Sequence, residues 1–228
     1  MNSRTIKIIA VLSMLVDHIG YYLFPDTIWL RIIGRIAFPI FCFLVAYGCT
    51  KTRNARNFFV RLFVFALVSQ LLISLALWEI RWQWLNVFFT LSAGVLSIIL
   101  IKIIVEHSKK TAAPLIMTCC TVGILCLLLI ADVFRFDYGL SGVLLIIMFY
   151  LVLWDKLYWK LSVVAIIAIF NILMIVRGFE SIQWYSMLSS VFLLIFIDKK
   201  LKISKIERWS FYIFYPLHLV ILILIGTF

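Results

Sequence analysis

Long apolar runs separated by short polar ones set the rhythm of this 228-residue chain. A transmembrane helix needs about 20 apolar residues, within a range near 17–25. By that measure nine runs read as spans, at roughly 5–24, 29–49, 58–78, 86–105, 112–131, 140–154, 160–176, 183–197 and 210–227. Breakers fall between them: Pro25-Asp26, the polar run Lys51 to Asn57, Glu106 to Lys110, Asp155-Lys156, Arg177-Gly178 and the basic connector Lys199 to Arg208. Trp78 to Trp84 carries three tryptophans, as an interfacial belt does. The pattern predicts an all-α polytopic bundle of about nine spans, forming one domain over residues 1–228. The sixth and eighth runs are short, so eight spans or a re-entrant segment also fit. No internal repeat is visible, which removes support for an inverted-repeat transporter.

Composition strengthens that reading. Hydrophobic residues make up 65% of the chain, charged residues only 14%, and the mean hydropathy is +1.16; a soluble domain is about 45–50% apolar and about 25% charged. The net charge of +11 would point to nucleic acid in a soluble protein. Here the basic residues sit in short loops between spans, so topology accounts for them and no nucleic-acid partner is expected. Nine spans place the termini on opposite sides. Arg31, Arg35, Arg81, Arg135 and Arg177 fall on one side, and the other 16 of the 21 Lys and Arg on the other. That asymmetry puts the N-terminus in the cytoplasm and the C-terminus outside. Arg4 and Lys7 before an apolar run mimic a signal peptide, but no small-residue cleavage site follows, so an uncleaved first span is expected. The five cysteines lie inside apolar runs without C-x-x-C spacing and read as small buried hydrophobes. Lipids are the constant neighbours, and a homo-oligomer is compatible with the pattern.

Against this background Asp17-His18 stands out, inside the first span. Asp at that depth costs roughly 2.5–3.5 kcal/mol on insertion scales, and intramembrane ionisable groups mark function by default. The pair lies about 18–20 Å along span 1, in its outer half. Arg31 and Arg35, four apart and on one helix face, enter span 2 from the outer side after a short loop. Asn86 and Thr90 open span 4 from that side, and Asp137-Tyr138-Gly139 and Gly142 open span 6. These polar groups converge near the outer rim. His218, after Pro216, lies about 10 Å into span 9 from the inner side and does not obviously reach that layer. Blander readings stand beside each of these. Asp17 can simply hold an arginine, and His18 can be a satisfied core histidine. Arg31 can snorkel to the headgroups, Asn86 can cap a helix or bond between helices, and Tyr138 can be an interfacial aromatic. As a cluster, a histidine beside an acid and two arginines suits general-base chemistry with stabilisation of developing negative charge. No metal-ligand spacing and no phosphate-cradling glycine loop is present. Proton-coupled transport or flipping of a small or lipid-linked solute is the alternative use of such a cluster.

Several blocks together resemble a known family. Lys7 to Gly20 (K-I-I-A-V-L-S-M-L-V-D-H-I-G), Gly34 to Gly48 (G-R-I-A-F-P-I-F-C-F-L-V-A-Y-G), Arg61-Leu62, Asn86 to Thr90 (N-V-F-F-T), Asp137 to Gly142 (D-Y-G-L-S-G) and Tyr212 to Leu219 (Y-I-F-Y-P-L-H-L) resemble the TraX family, that of the F-pilin N-acetylation protein of conjugation systems. The blocks run through the whole chain, and D-H-x-G with G-R-x-A-F-P-x-F is the most specific combination. The chain is also distantly similar to larger membrane acyltransferases, the O-acyltransferases of sugars and the lysosomal heparan glucosaminide acetyltransferase. The resemblance implies an acetyl-CoA-dependent acetyltransferase of the bacterial cytoplasmic membrane, acting on a peptide, pilin-like or glycan acceptor. By that likeness His18 is the catalytic base or acyl relay, supported by Asp17 and Arg35. Arg31, Asn86, Asp137, Tyr138 and His218 are the expected substrate-side residues. Acetyl-CoA would enter from the cytoplasm, where Arg53, Arg56, Arg61, Lys199 and Lys200 are the basic residues expected to meet its phosphates.

Overall fold

In hydrocarbon, backbone N–H and C=O groups find no water, and a helix satisfies them within its own segment. The apolar runs accordingly fold as helices. The structure is a computed structural model and describes residues 1–52, 54–79, 84–108, 113–154, 159–197 and 205–226. In order these are α1 (Ser3–Tyr22), α2 (Ile28–Gly34), α3 (Ala37–Lys51), α4 (Ala55–Ala76), α5 (Val87–His107), α6 (Ala113–Val133), α7 (Gly139–Trp154), α8 (Trp159–Val176), a 3-10 helix (Ser181–Leu188), α9 (Ser189–Leu194) and α10 (Lys205–Gly226). Among the described residues there is no strand, only an isolated bridge between Leu85 and Phe136.

Among the described residues, seven segments are long and apolar enough to cross a membrane: Ser3–Tyr22, Ile28–Lys51, Ala55–Ala76, Val87–His107, Pro114–Val133, Trp159–Val176 and Trp209–Gly226. Gly139–Leu153 is a shorter apolar helix. The all-α membrane bundle is as the sequence predicts, but two spans differ in form. The second is interrupted at Arg35-Ile36, between α2 and α3. Pro39 has no N–H to give the Arg35 carbonyl, so the α-helical ladder loses a bond there. The expected eighth span is not one helix; it is an eight-residue 3-10 helix followed by the six-residue α9. Its polar residues explain the difference. Gln183, Ser186 and Ser189 recur every third position and are all buried, and a 3-10 helix places residues three apart on one face. The Ser186 hydroxyl donates to the Asn171 side-chain oxygen (2.9 Å), and Asn171 donates to the Ile167 carbonyl (2.9 Å), which fastens this segment to α8.

The bundle core is apolar and aromatic, with Phe43, Phe149, Tyr150, Phe170, Ile98 and Ile146 fully buried. Large apolar side chains on α4 and α6, such as Leu71, Leu75, Leu115 and Leu129, face outward, where acyl chains would cover them. The chain ends lie at opposite ends of α1. The Met1 amino group donates to the Ile195 carbonyl (2.6 Å) and the Ile197 amide donates to the Met1 carbonyl (2.7 Å). At the far end Gly226 packs against Tyr22, where an added Cβ would stand 2.8 Å from the Tyr22 carbonyl oxygen.

Candidate functional site

Asp17 sits one turn before the end of α1 and faces α2. Two glycines make the approach possible. A Cβ at Gly34 would collide with the Asp17 carboxylate, and one at Gly20 would stand 2.6 Å from the Leu30 Cβ. In the space they leave, Arg31 donates to one Asp17 oxygen (2.7 Å) and Arg35 to the other (2.7 Å). Arg31 also donates to the Asp17 carbonyl (3.2 Å), and its guanidinium lies over the Tyr21 ring (5.1 Å). Arg35 reaches the Gln183 side-chain oxygen (3.4 Å) on the 3-10 helix. Asp17 and Arg35 are nearly enclosed, with side chains 13% and 12% exposed, while Arg31 is 27% exposed. One carboxylate between two guanidiniums leaves this trio with a net charge of +1, a favourable setting for developing negative charge.

His18 turns from the same stretch of α1 toward α10. Its Nδ1 lies 2.7 Å from Nε2 of His218, with the two rings edge to edge and within 25° of coplanar. His218 in turn places Nδ1 2.7 Å from the Phe214 carbonyl. Tyr215 stands edge-on to both rings. The sequence-based placement of His218 in another layer is therefore corrected. α10 packs alongside α1, with Gly226 against Tyr22 at their far ends, and this pairing brings His218 to His18.

Below the histidines runs a cavity of about 520 Å³, within the size range of small-molecule sites (about 300–1,000 Å³). Its mouth is basic, with Arg4, Lys7 and Lys51, and its walls are largely apolar. Two helix faces lead along it. On α1 they are Lys7, Val11 and Met14, with His18 next on that face; on α10 they are Phe211 and Tyr215, with His218 next. Spacings of four and three keep these residues on one side of each helix. At the mouth Lys7 lies over the Phe211 ring (3.7 Å). Lys7 and His18 are separated by about 16 Å along α1.

The structure thus brings Asp17, His18, Arg31, Arg35 and His218 together. Tyr138 stacks its ring on Phe38 (3.6 Å), and it and Asp137 are close enough to bear on the charge of Arg35. Asp137 itself is exposed; its carbonyl accepts the Thr90 hydroxyl and its amide donates to Leu85 (2.8 Å). Asn86 is engaged elsewhere. Its oxygen caps α5 at Phe88 (3.0 Å), and its amide donates to the Ala66 carbonyl (2.9 Å) and Gln70 (3.0 Å). Of the basic residues expected to meet the donor, Arg53, Lys199 and Lys200 lie outside the described residues. Arg56 is exposed. Arg61 lies over Phe58, a wall residue of the cavity, with its Nε buried and unpartnered. Arg4, Lys7, Lys51 and Gln183 are not among the site residues expected from sequence. The α1 stripe ending on His18 is the signal that could have revealed Lys7.

A multi-span helical bundle with an acid held by two arginines, a histidine pair and a basic-mouthed cavity defines an integral membrane protein with a polar cluster inside its bundle. The family model described as TraX protein matches residues 2–226, and the chain belongs to the TraX family. It is similar to an uncharacterized protein, RP591, of Rickettsia prowazekii (strain Madrid E), at 54% identity over 43 residues, 19% of this chain and 17% of that one. It is also similar to a probable fimbrial assembly protein FimC, serogroup H1, of Dichelobacter nodosus, at 26% identity over 129 residues, 50% of this chain and 49% of that one. The matched stretches thus span about a sixth and about half of these relatives' lengths. No solved structure matches the chain.

Proposed function

We propose that this protein is a membrane acetyltransferase that moves an acetyl group from acetyl-CoA, entering from the cytoplasm, to an amine or hydroxyl presented near the outer rim. The observation that carries the reading is the cavity: basic at one end, largely apolar along its walls, and lined by the faces of α1 and α10 on which His18 and His218 come next. Those residues suit the donor. Arg4, Lys7 and Lys51 would hold its phosphate-bearing end, and Val11, Met14, Phe88 and Tyr215 would line its narrower arm. Acetyl-CoA supplies an acetyl group activated as a thioester. His18 is the group placed to take the proton that an attacking amine or hydroxyl must lose. Arg31 and Arg35, sharing Asp17, supply the positive charge against which negative charge can develop.

The acceptor is a peptide amino terminus on this reading, with a glycan hydroxyl as the other chemistry the same base can serve. The fimbrial assembly name of the Dichelobacter nodosus relative supports a pilin-like acceptor. The charge asymmetry supports a cytoplasmic-membrane location with the N-terminus inside.

Purified protein in lipid nanodiscs, given radiolabelled acetyl-CoA and peptides with free amino termini, provides the test. Wild type should transfer label, His18→Ala should lose at least a hundredfold in rate, in line with the usual weight of a general base, and Lys7→Glu should raise KM for acetyl-CoA. Undiminished transfer by a folded His18→Ala protein would remove His18 from the role. Counterflow of a solute without any acetyl transfer would favour the transport reading.

A further inference from the structure

We propose that His218 is a positioning residue that fixes the tautomer of His18 and holds its Nε2 as the free, basic nitrogen. The argument is one of donors and acceptors. The Phe214 carbonyl can only accept, so the 2.7 Å contact requires a proton on Nδ1 of His218. A neutral imidazole carries one ring proton, which leaves Nε2 of His218 as an acceptor. Nδ1 of His18, 2.7 Å away, must then donate to it. Nε2 of His18 is left with its lone pair, and no hydrogen bond from the described residues engages it. The order of protons is Phe214 carbonyl, His218 Nδ1–H, His218 Nε2, His18 Nδ1–H, His18 Nε2.

This arrangement does for His18 what an acceptor behind a catalytic imidazole does in general: it selects the tautomer, orients the ring and stabilises the imidazolium. Asp17, although adjacent in sequence, makes no hydrogen bond to His18: its two oxygens face Arg31 and Arg35, and Nδ1 of His18 faces His218. The acid thus anchors the arginines while a second histidine supports the first. Packing holds the relay in place: the His218 ring stacks on the Phe214 ring at 4.7 Å and meets His18 edge to edge, nearly coplanar with it. When Nε2 of His18 takes the acceptor's proton, both His18 nitrogens carry hydrogen and the charge is shared across the bond to His218. As the acetyl C–S bond breaks, the proton passes from Nε2 to the departing CoA thiolate, so the cycle closes with no other reactant.

The kinetic part of this inference rests on the acetyltransfer reading, whereas the tautomer does not, so the two are tested apart. Nitrogen NMR of the ¹⁵N-histidine-labelled full-length protein in nanodiscs, without substrate, should show His18 and His218 both protonated at Nδ1 and bare at Nε2. In His218→Leu, His18 should shift toward the Nε2–H form. In acetyl transfer, His218→Leu should lower kcat more than tenfold with KM for acetyl-CoA within twofold of wild type. His218→Gln, whose amide oxygen can stand in for Nε2 as acceptor, should recover much of that loss. Nε2–H on His18 in the resting wild-type protein, or wild-type kcat in His218→Leu, would overturn the assignment. Should wild type transfer no acetyl group at all, the acetyltransferase reading fails while the NMR result still decides the tautomer.

Discussion

At the scale of single residues, Asp17 illustrates how an expensive group is retained in an apolar setting. Its cost is offset by two short, charge-assisted contacts, one to each oxygen. Replacing such a buried pair by apolar groups can be neutral, whereas removing one partner leaves the rest uncompensated, at about 3–5 kcal/mol. Asp17→Asn leaves two guanidiniums without a carboxylate and should lower the unfolding midpoint of the purified protein by several degrees. Arg35→Gln should be nearly as harmful, because the 12% exposed Arg35 is the more enclosed partner. Arg31→Gln should be milder, since Arg31 is 27% exposed and Arg35 still balances Asp17. Thermal scans of the three variants check the order; equal midpoints would refute it. Both arginines and the acid were legible in the sequence as an intramembrane cluster. The partner of His18 was not, because His18 and His218 are 200 residues apart and their meeting depends on how α10 packs against α1.

Among elements, the hairpin of α4 and α5 shows a polar residue that local sequence invites one to place in the site. Asn86 instead joins two helices. It caps α5 and clasps the Ala66 carbonyl and Gln70, and Gln70 returns a bond to the Trp84 carbonyl (3.0 Å). An N-cap is worth about 1 kcal/mol, and the stranded amide partners add to that. Asn86→Ala should therefore destabilise the protein by about 2 kcal/mol, with KM for acetyl-CoA unchanged. A change in KM with full stability would instead place Asn86 at the substrate. The 3-10 helix carries the same lesson. Its apolar run resembles a span, but a buried polar residue at every third position selects a tighter helix bonded to α8. Length counting alone does not register that period.

For the whole molecule, orientation is the property with most consequence. If the basic end of the cavity is cytoplasmic, the bundle is a passage that delivers a cytoplasmic donor toward the outer rim. In a cysteine-free background, Asp26→Cys should react with a membrane-impermeant maleimide on intact cells, and Asn54→Cys only after permeabilisation. The reverse pattern would invert the topology and place donor entry outside.

The sequence by itself determined the solvent this protein lives in, the helical class and the cost of Asp17-His18, because hydrophobic length and charge are properties of local composition. It also placed Arg31 and Arg35 beside Asp17, since a short loop and a four-residue spacing allow little else. Tertiary structure decided which groups complete the site. The cavity is formed by faces of α1, α3, α4, α5 and α10 that no local pattern pairs. The close approach of α1 and α2 depends on two glycines whose missing Cβ atoms matter only once the helices meet. The tautomer of His18 hangs on a carbonyl of α10, through a hydrogen bond that exists only when helices from the two ends of the chain pack side by side.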